Sequence, residues 1–252
     1  YKIVPYCPRC GTALSSHEVA QGYKDVKETS IFVKFKRKSN EGYFLAWTTT
    51  PWTLPSNVAL CMNADENYVE IKVNDEIYVL AEALAPTLFE NYEVLSTKLG
   101  KEYEGEEYEP LYNCYDGNKK AYYVTNDSYV TLTDGTGIVH IAPAFGEDDA
   151  NVGRKYDLPL VQMVDDRGRM KDATPFGGLF CKDADKEVIK DLFNRKLLFK
   201  EFQFEHSYPF CWRCDTPLLY YARSSWFIKM TKVKDNLLKN NASINWMPPT
   251  IG

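Results

Sequence analysis

Two short segments of this chain are near copies of one another. Pro5-Tyr-Cys-Pro-Arg-Cys-Gly-Thr-Ala-Leu14 and Pro209-Phe-Cys-Trp-Arg-Cys-Asp-Thr-Pro-Leu218 agree at six of ten positions, including both cysteines. Each Cys-x-x-Cys turn can offer two thiolates to one side of a metal, and two such turns make the tetrahedral Cys₄ set of a structural zinc. Cys7, Cys10, Cys211 and Cys214 are therefore the expected ligands. Four thiolates around Zn²⁺ leave a charge near −2, and Arg9 and Arg213 stand where they could offset it. Two unrelated reduced pairs, or a thioredoxin-like redox turn, are the alternatives. Redox turns do not come as matched duplicates, which favours the metal. The 200 residues between Cys10 and Cys211 are too many for a zinc ribbon. They predict a globular domain inserted into a small metal module that staples its neck.

The other three cysteines, Cys61, Cys114 and Cys181, read as small apolar side chains. An odd total of seven, with no basic-then-apolar leader at Tyr1-Lys-Ile-Val-Pro, points to a reducing, cytoplasmic setting rather than a disulfide framework. The absence of an initiator Met suggests a piece of a longer chain. No apolar run approaches the roughly 18 residues that would cross a bilayer. Lys and Arg total 30 against 35 Asp and Glu, for a net charge of −5. A free-standing nucleic-acid binder usually carries a basic excess. If this chain handles RNA, another region must supply the main grip, and the isolated chain is expected to bind RNA weakly.

The inserted region reads as strands with few helices. Residues 30–37 alternate apolar and polar side chains, and 42–47, 68–73, 77–80, 121–124 and 137–141 are further strand candidates. Helices are expected over 81–92 (weakened by Pro86), 148–156 and, most clearly, 185–198. The predicted class is α+β, a closed or nearly closed β-barrel with peripheral helices inserted in the zinc-knuckle module. The expected domains are a first knuckle (1–14), a barrel (15–204), a second knuckle (205–222) and a return segment (223–252) toward a partner domain. Gly-x-Gly-x-x-Gly, Walker and Gly-x-Ser-x-Gly loops are all missing.

Two segments carry candidate chemistry. In Trp47-Thr-Thr-Thr-Pro-Trp-Thr-Leu-Pro-Ser-Asn57 three threonines end a strand that a proline stops, which predicts hydroxyls and free backbone N–H groups at an open rim. A plain Thr-rich strand edge is the alternative. In Asp134-Gly-Thr-Gly-Ile-Val-His-Ile-Ala-Pro-Ala-Phe-Gly-Glu-Asp-Asp149 a strand carries His140, and a Pro/Gly loop then starts an acidic helix. That turn could bring His140 and Asp149 to one rim. Free N–H groups of the first helical turn would hold Asp148 and Asp149 ionised, one of them serving only as a cap. A lone histidine can equally be a packed core residue.

Together the Thr-rich segment ending in Pro-Trp-Thr-Leu-Pro, the Gly-Thr-Gly-Ile-Val-His-x-Ala-Pro…Gly-x-Asp-Asp segment and the flanking Cys turns resemble the editing (connective-peptide 1) domain of isoleucyl-tRNA synthetase, of cytosolic eukaryotic-like type. The resemblance covers most of the chain, including Val164-Asp-Asp-Arg-Gly-Arg169 and Phe176-Gly-Gly-Leu-Phe180; residues 83–120 follow the pattern less closely. Valyl and leucyl relatives usually carry Arg-Pro after the threonines, where this chain has Thr50-Pro51-Trp52. The synthetase signatures His-Ile-Gly-His and Lys-Met-Ser-Lys-Ser are not found, so the ATP-using aminoacylation site belongs to the remainder of the synthetase.

The resemblance implies a reaction. A synthesis site for isoleucine rejects valine poorly, since one missing methylene is worth only about 1–3 kcal/mol, a magnitude for which this synthetase is itself the standard worked example. A second pocket would admit valine, exclude isoleucine by overlap and hydrolyse the misformed ester at the 3′ end of tRNA(Ile). Asp149 matches the family's amino-group-binding carboxylate and would hold the substrate's α-ammonium. Thr48, Thr49 and Thr50 would contact the ester, the terminal ribose and the attacking water. Trp52, Thr53 and His140 would shape the side-chain pocket, with His140 as the wall against isoleucine's extra methyl; general base is its competing role. Asn57 would orient the threonine loop. Two rival readings fit the same residues: a non-catalytic zinc-stapled module that presents RNA, and a valyl-type editing domain that clears threonine.

Overall fold

The structure is a computed structural model that describes residues 1–248 and 250. Its residues fall into two compact units, residues 2–222 and a second made of Tyr1 with the chain from Arg223 onward. The larger unit opens with strand β1 (Lys2–Cys7), the two-residue β2 (Thr12–Ala13) and helix α1 (Ser16–Ala20). Ser15 and Glu18 cap α1 reciprocally, each side chain accepting the other's backbone N–H. There follow β3 (Tyr23–Lys36), β4 (Tyr43–Thr48), a 3₁₀ turn over Pro51–Ser56, β5 (Ala59–Met62), β6 (Asn67–Val73) and β7 (Glu76–Ala81). Helix α2 (Ala85–Leu88), β8 (Glu93–Leu99), β9 (Tyr123–Asn126), β10 (Ile138–Ile141) and helices α3 (Glu147–Lys155) and α4 (Cys181–Asn194) come next. Strands β11 (Leu198–Pro209) and β12 (Leu219–Arg223) complete the order.

β1 lies between β2 and β12 in a small sheet, and the remaining nine strands form one mixed sheet. Its path runs β8-β6-β7-β4-β10-β5-β9, with β3 added to β4 and β11 to β3. The sheet curves into a half-barrel rather than the closed or nearly closed barrel expected. Strand alternation sorts its side chains onto two faces. Val33 and Phe35 of β3, Phe44 and Ala46 of β4, Leu60 and Met62 of β5 and Ile138 of β10 enter the main core, with Ala184, Val188 and Leu192 of α4. The intervening Phe32, Leu45, Tyr78 and Leu80 build a second cluster on the other face, and Ala59, Cys61 and Ile141 a third. By the same parity Thr48 and His140 share the inward face.

Several expectations shift. The helix over 81–92 shrinks to a 3₁₀ turn and α2, because Pro86 is tolerated only in a first turn. Strand 121–124 begins at Tyr123, since Tyr122 takes a left-handed φ of 65°. The helix expected over 185–198 starts a turn earlier and ends before Lys196, itself at φ 59°. β3 is longer than expected because its first half pairs with β11, from Tyr23↔Pro209 to Ile31↔Glu201. In the smaller unit, helix α5 (Met230–Asn241) buries none of its residues, and Trp226, Phe227 and Ile228 beside it are exposed. No helix among the described residues is long and apolar enough to cross a membrane.

Candidate active site and cysteine cluster

The threonine segment leaves β4 at Thr48, where Pro51 opens the 3₁₀ turn and ends strand pairing. The turn folds the hydroxyls onto one another. Thr50 N–H donates to Thr48 Oγ1 at 3.1 Å, and the Thr50 and Thr53 hydroxyls lie 3.2 Å apart. Thr53 donates its hydroxyl proton to the Thr50 carbonyl at 2.7 Å. Its oxygen can then only accept from His140 Nε2, 3.0 Å away, which assigns the proton of a neutral imidazole to Nε2. His140 Nδ1 is buried and has no partner among the described residues. Burial pulls the His140 pKa down to about 4, so the ring is neutral near pH 7. Thr48, Thr50, Thr53 and His140 therefore form one connected polar group. Thr49 is half-buried at the rim, and its hydroxyl makes no hydrogen bond among the described residues.

The backbone N–H groups are not free at the rim as expected. Thr48 takes that of Thr50, and Asp185 Oδ1 on α4 takes that of Trp52 at 2.8 Å. Sequence reading missed Asp185. Its signal is positional: an acid one turn after Cys181 and one turn before Val188, beside the buried stripe of α4. Burial pushes its pKa up to about 7. Asn57 closes the turn, donating to the Ala59 carbonyl at 2.8 Å and accepting from the Tyr108 hydroxyl at 2.7 Å.

Asp149 is the third residue of α3, and its Oδ2 accepts the Ala142 N–H at 2.9 Å, just beyond His140 on β10. Gly146, which caps α3, leaves room for that carboxyl: a Cβ there would stand 2.8 Å from Asp149 Cγ. The expectation that the helix N-terminus keeps Asp149 ionised does not hold. Burial, aided by repulsion from Asp148, outweighs the N–H groups and lifts its pKa to about 7. The threonine turn and the loop before α3 meet where Trp52 packs edge-on against Phe145, with ring centroids 5.0 Å apart. That contact joins the turn that carries Thr50 and Thr53 to the loop that leads into Asp149.

The four cysteines of the matched turns converge. Cys7 and Cys214 Sγ are 3.5 Å apart, Cys10 and Cys214 3.4 Å, and Cys10 and Cys211 4.0 Å. All four sulfurs lie within 4.8 Å of one another, and none is in a disulfide. A tetrahedron with bonds of about 2.3 Å has edges of roughly 3.8 Å, so the donor set and its spacing fit a metal. The Cys10 N–H points at Cys7 Sγ at 3.3 Å, as a ligating turn requires. Arg213 does not offset the thiolates as expected, because it pairs with Glu18 at 2.8 Å.

Residues 1–251 match the profile of the class I tRNA synthetases (I, L, M and V), and the chain belongs to that family. Within it, the chain is similar along its whole length to isoleucine–tRNA ligases, and in fold to leucyl-tRNA synthetase editing domains. It is 57% identical over its whole length to the isoleucine–tRNA ligase of Clostridium acetobutylicum and 48% to that of Thermus thermophilus. In each case it spans 24% of the relative. In fold it is similar to GlLeuRS-CP1 (TM-score 0.55, 16% identity, 68% of this chain and 98% of that one). The P. knowlesi cytosolic leucyl-tRNA synthetase editing domain is comparable (TM-score 0.53, 13% identity, 74% and 99%).

Proposed function

We propose that this chain hydrolyses valine from mischarged tRNA(Ile), as the editing domain of a synthetase that joins isoleucine to tRNA(Ile) with ATP. The observation that carries the reading is the closed group of Thr48, Thr50, Thr53 and His140 meeting the Asp149 loop through Trp52 and Phe145. Aminoacyl esters are already labile, so the site needs to bind and orient more than to attack. Asp149 anchors the α-ammonium, whose charge draws the carboxyl back to its ionised form. Thr49 and Thr50, half-buried at the rim, orient the ester and a water. His140 serves as the wall. Its Nε2 carries a proton committed to Thr53, and a pKa near 4 makes Nδ1 a poor base.

The test is deacylation of Val-tRNA(Ile) and Ile-tRNA(Ile), with Asp149→Ala alongside. Preferential loss of valine that vanishes in the variant is expected. Hydrolysis of both esters at equal rates would refute the reading.

Cys7, Cys10, Cys211 and Cys214 are proposed to hold a structural zinc at the foot of the β3–β11 ribbon, with ATP used only by the rest of the synthetase. Residues 1–14 and 205–222 are then the two halves of the metal module, 15–204 the editing domain, and 223–252 the path back to the synthetase body. A cytoplasmic setting follows from this reading.

A further inference from the structure

A cleft of about 540 Å³ opens beside the first Cys turn, walled by Arg9, Arg167 and Arg169, with Tyr6, Phe180 and Asp166 also lining it. Its construction is specific. Asp165 Oδ1 accepts the N–H groups of Arg167 (2.9 Å) and Arg169 (2.8 Å), fixing the turn between them. Gly168, at φ 75°, lets that turn pack directly on the Cys turn, since a Cβ would come within 2.8 Å of Phe180 and 3.0 Å of Pro8. This packing is what sets Arg167 and Arg169 beside Arg9. The Tyr6 hydroxyl donates to the Asp166 carbonyl at 2.9 Å and ties cleft and turn together.

None of the three guanidinium groups forms an ion pair among the described residues, although the chain carries a net charge of −5. Arg169 gives one N–H to the Gly178 carbonyl at 2.9 Å, and the rest of its fork is open. Three neighbouring guanidinium groups that make no ion pair among the described residues, with Asp165, Asp166 and Cys10 nearby, leave donors directed at the cleft that an anion could take. Guanidinium forks match phosphate oxygens in pairs. The cleft also lies near the threonine turn, with a row of buried rings between them. Tyr6 stacks on Tyr221 at 5.2 Å, Tyr221 lies 6.0 Å from Phe145, and Phe145 lies 5.0 Å from Trp52. Three ring contacts separate the two sites, a span that a few nucleotides cover.

We propose that the Arg9–Arg167–Arg169 cleft binds the phosphodiester backbone of the RNA strand whose aminoacylated end enters the threonine site. The inference rests on the proposed editing function and adds the grip on the substrate's backbone. The test compares the whole chain with an Arg167→Ala/Arg169→Ala variant on two substrates, Val-tRNA(Ile) and valyl-adenosine, which has the ester but no phosphate. The variant should raise KM for the tRNA about tenfold with kcat unchanged, and leave valyl-adenosine hydrolysis as it was. Two lost phosphate contacts on a single strand should flatten the slope of log kcat/KM against log salt by about 1.4. Arg167→Lys/Arg169→Lys, which keeps the charge, should restore most of that slope. An unchanged tRNA KM and salt slope would overturn the proposal, as would weakened metal retention with the slope intact, which would make the arginines counter-charges of the cysteine cluster. If the parent chain hydrolyses neither substrate, the editing reading fails by itself. Fluorescence anisotropy with a labelled 3′-terminal tRNA fragment then decides the cleft: weaker binding by the Ala variant supports it, and equal binding rejects it.

Discussion

Under the proposed function, Asp149 is subject to two opposed demands. Burial favours its neutral form and raises its pKa to about 7, while an α-ammonium ligand needs the carboxylate. The kcat/KM for Val-tRNA(Ile) should therefore rise with pH through about 7 and level off above it, a limb that Asp149→Asn should abolish. Stability should move the other way. An acid whose folded pKa exceeds its unfolded value is neutral in both states below about pH 4, and destabilises the fold increasingly as pH rises toward 7. Asp149→Asn should thus melt higher than the parent at pH 8 and show no such gain at pH 4. A variant that melts lower at pH 8 would mean that the Ala142 N–H needs the charge. His140 has the reverse sign: its folded pKa, about 4, lies below the unfolded 6.5, so its contribution is lost as pH falls through that window. His140→Ala should keep valine hydrolysis and begin to cleave Ile-tRNA(Ile); loss of valine hydrolysis with no gain on Ile-tRNA(Ile) would make it the base. The residues of this site were legible through the family resemblance, since a Thr-rich strand end and a lone histidine are by themselves equally well explained as a strand edge and a core residue. Their ionisation was not, because desolvation of a carboxyl depends on how the folded loop packs around it, which spacing does not reveal.

Among the elements, the least legible contact is the one between α4 and the 3₁₀ turn. Asp185 reaches across 133 positions to cap a turn whose first residue, Pro51, has no N–H to offer. Asp185→Ala leaves the Trp52 N–H without an acceptor, at a cost of about 1–3 kcal/mol. It should lower both stability and the deacylation rate, whereas Asp185→Asn, which keeps an acceptor, should recover most of each. Equal loss in both variants would show that the charge matters rather than the hydrogen bond. Strand β3 could be read from its alternation, and β4, β6, β7, β9 and β10 from their runs of aromatic and β-branched residues. β5 could not, because Ala59-Leu-Cys-Met62 is buried on both faces and shows no alternation. β11 carries a clear alternation in its sequence. Phe202, Phe204, His206 and Tyr208 alternate with polar residues, and their rings contact one another in sequence along one face.

For the whole molecule, the matched Cys turns sit at the two ends of the insertion, and the β3–β11 ribbon carries the chain from them into the half-barrel. The small cluster of Cys7, Leu14, Val19, Cys211 and Leu218 is separate from the three clusters of the sheet. A metal there would tie together residues 200 or more apart in sequence, so its effect falls on the neck and on the entropy of the unfolded chain. Chelation should lower the melting temperature by several degrees and zinc should restore it, at one ion per chain. Cys211→Ser should reproduce the chelated state. Hydrolysis of valyl-adenosine by protein that is still folded should change by less than about twofold, because no cysteine of the cluster belongs to the threonine, His140 and Asp149 group. Loss of that activity on chelation, with recovery on adding zinc, would mean that the neck sets the geometry of the site through the Tyr6–Tyr221–Phe145–Trp52 contacts. The half-barrel would then depend on its staple for chemistry as well as for stability.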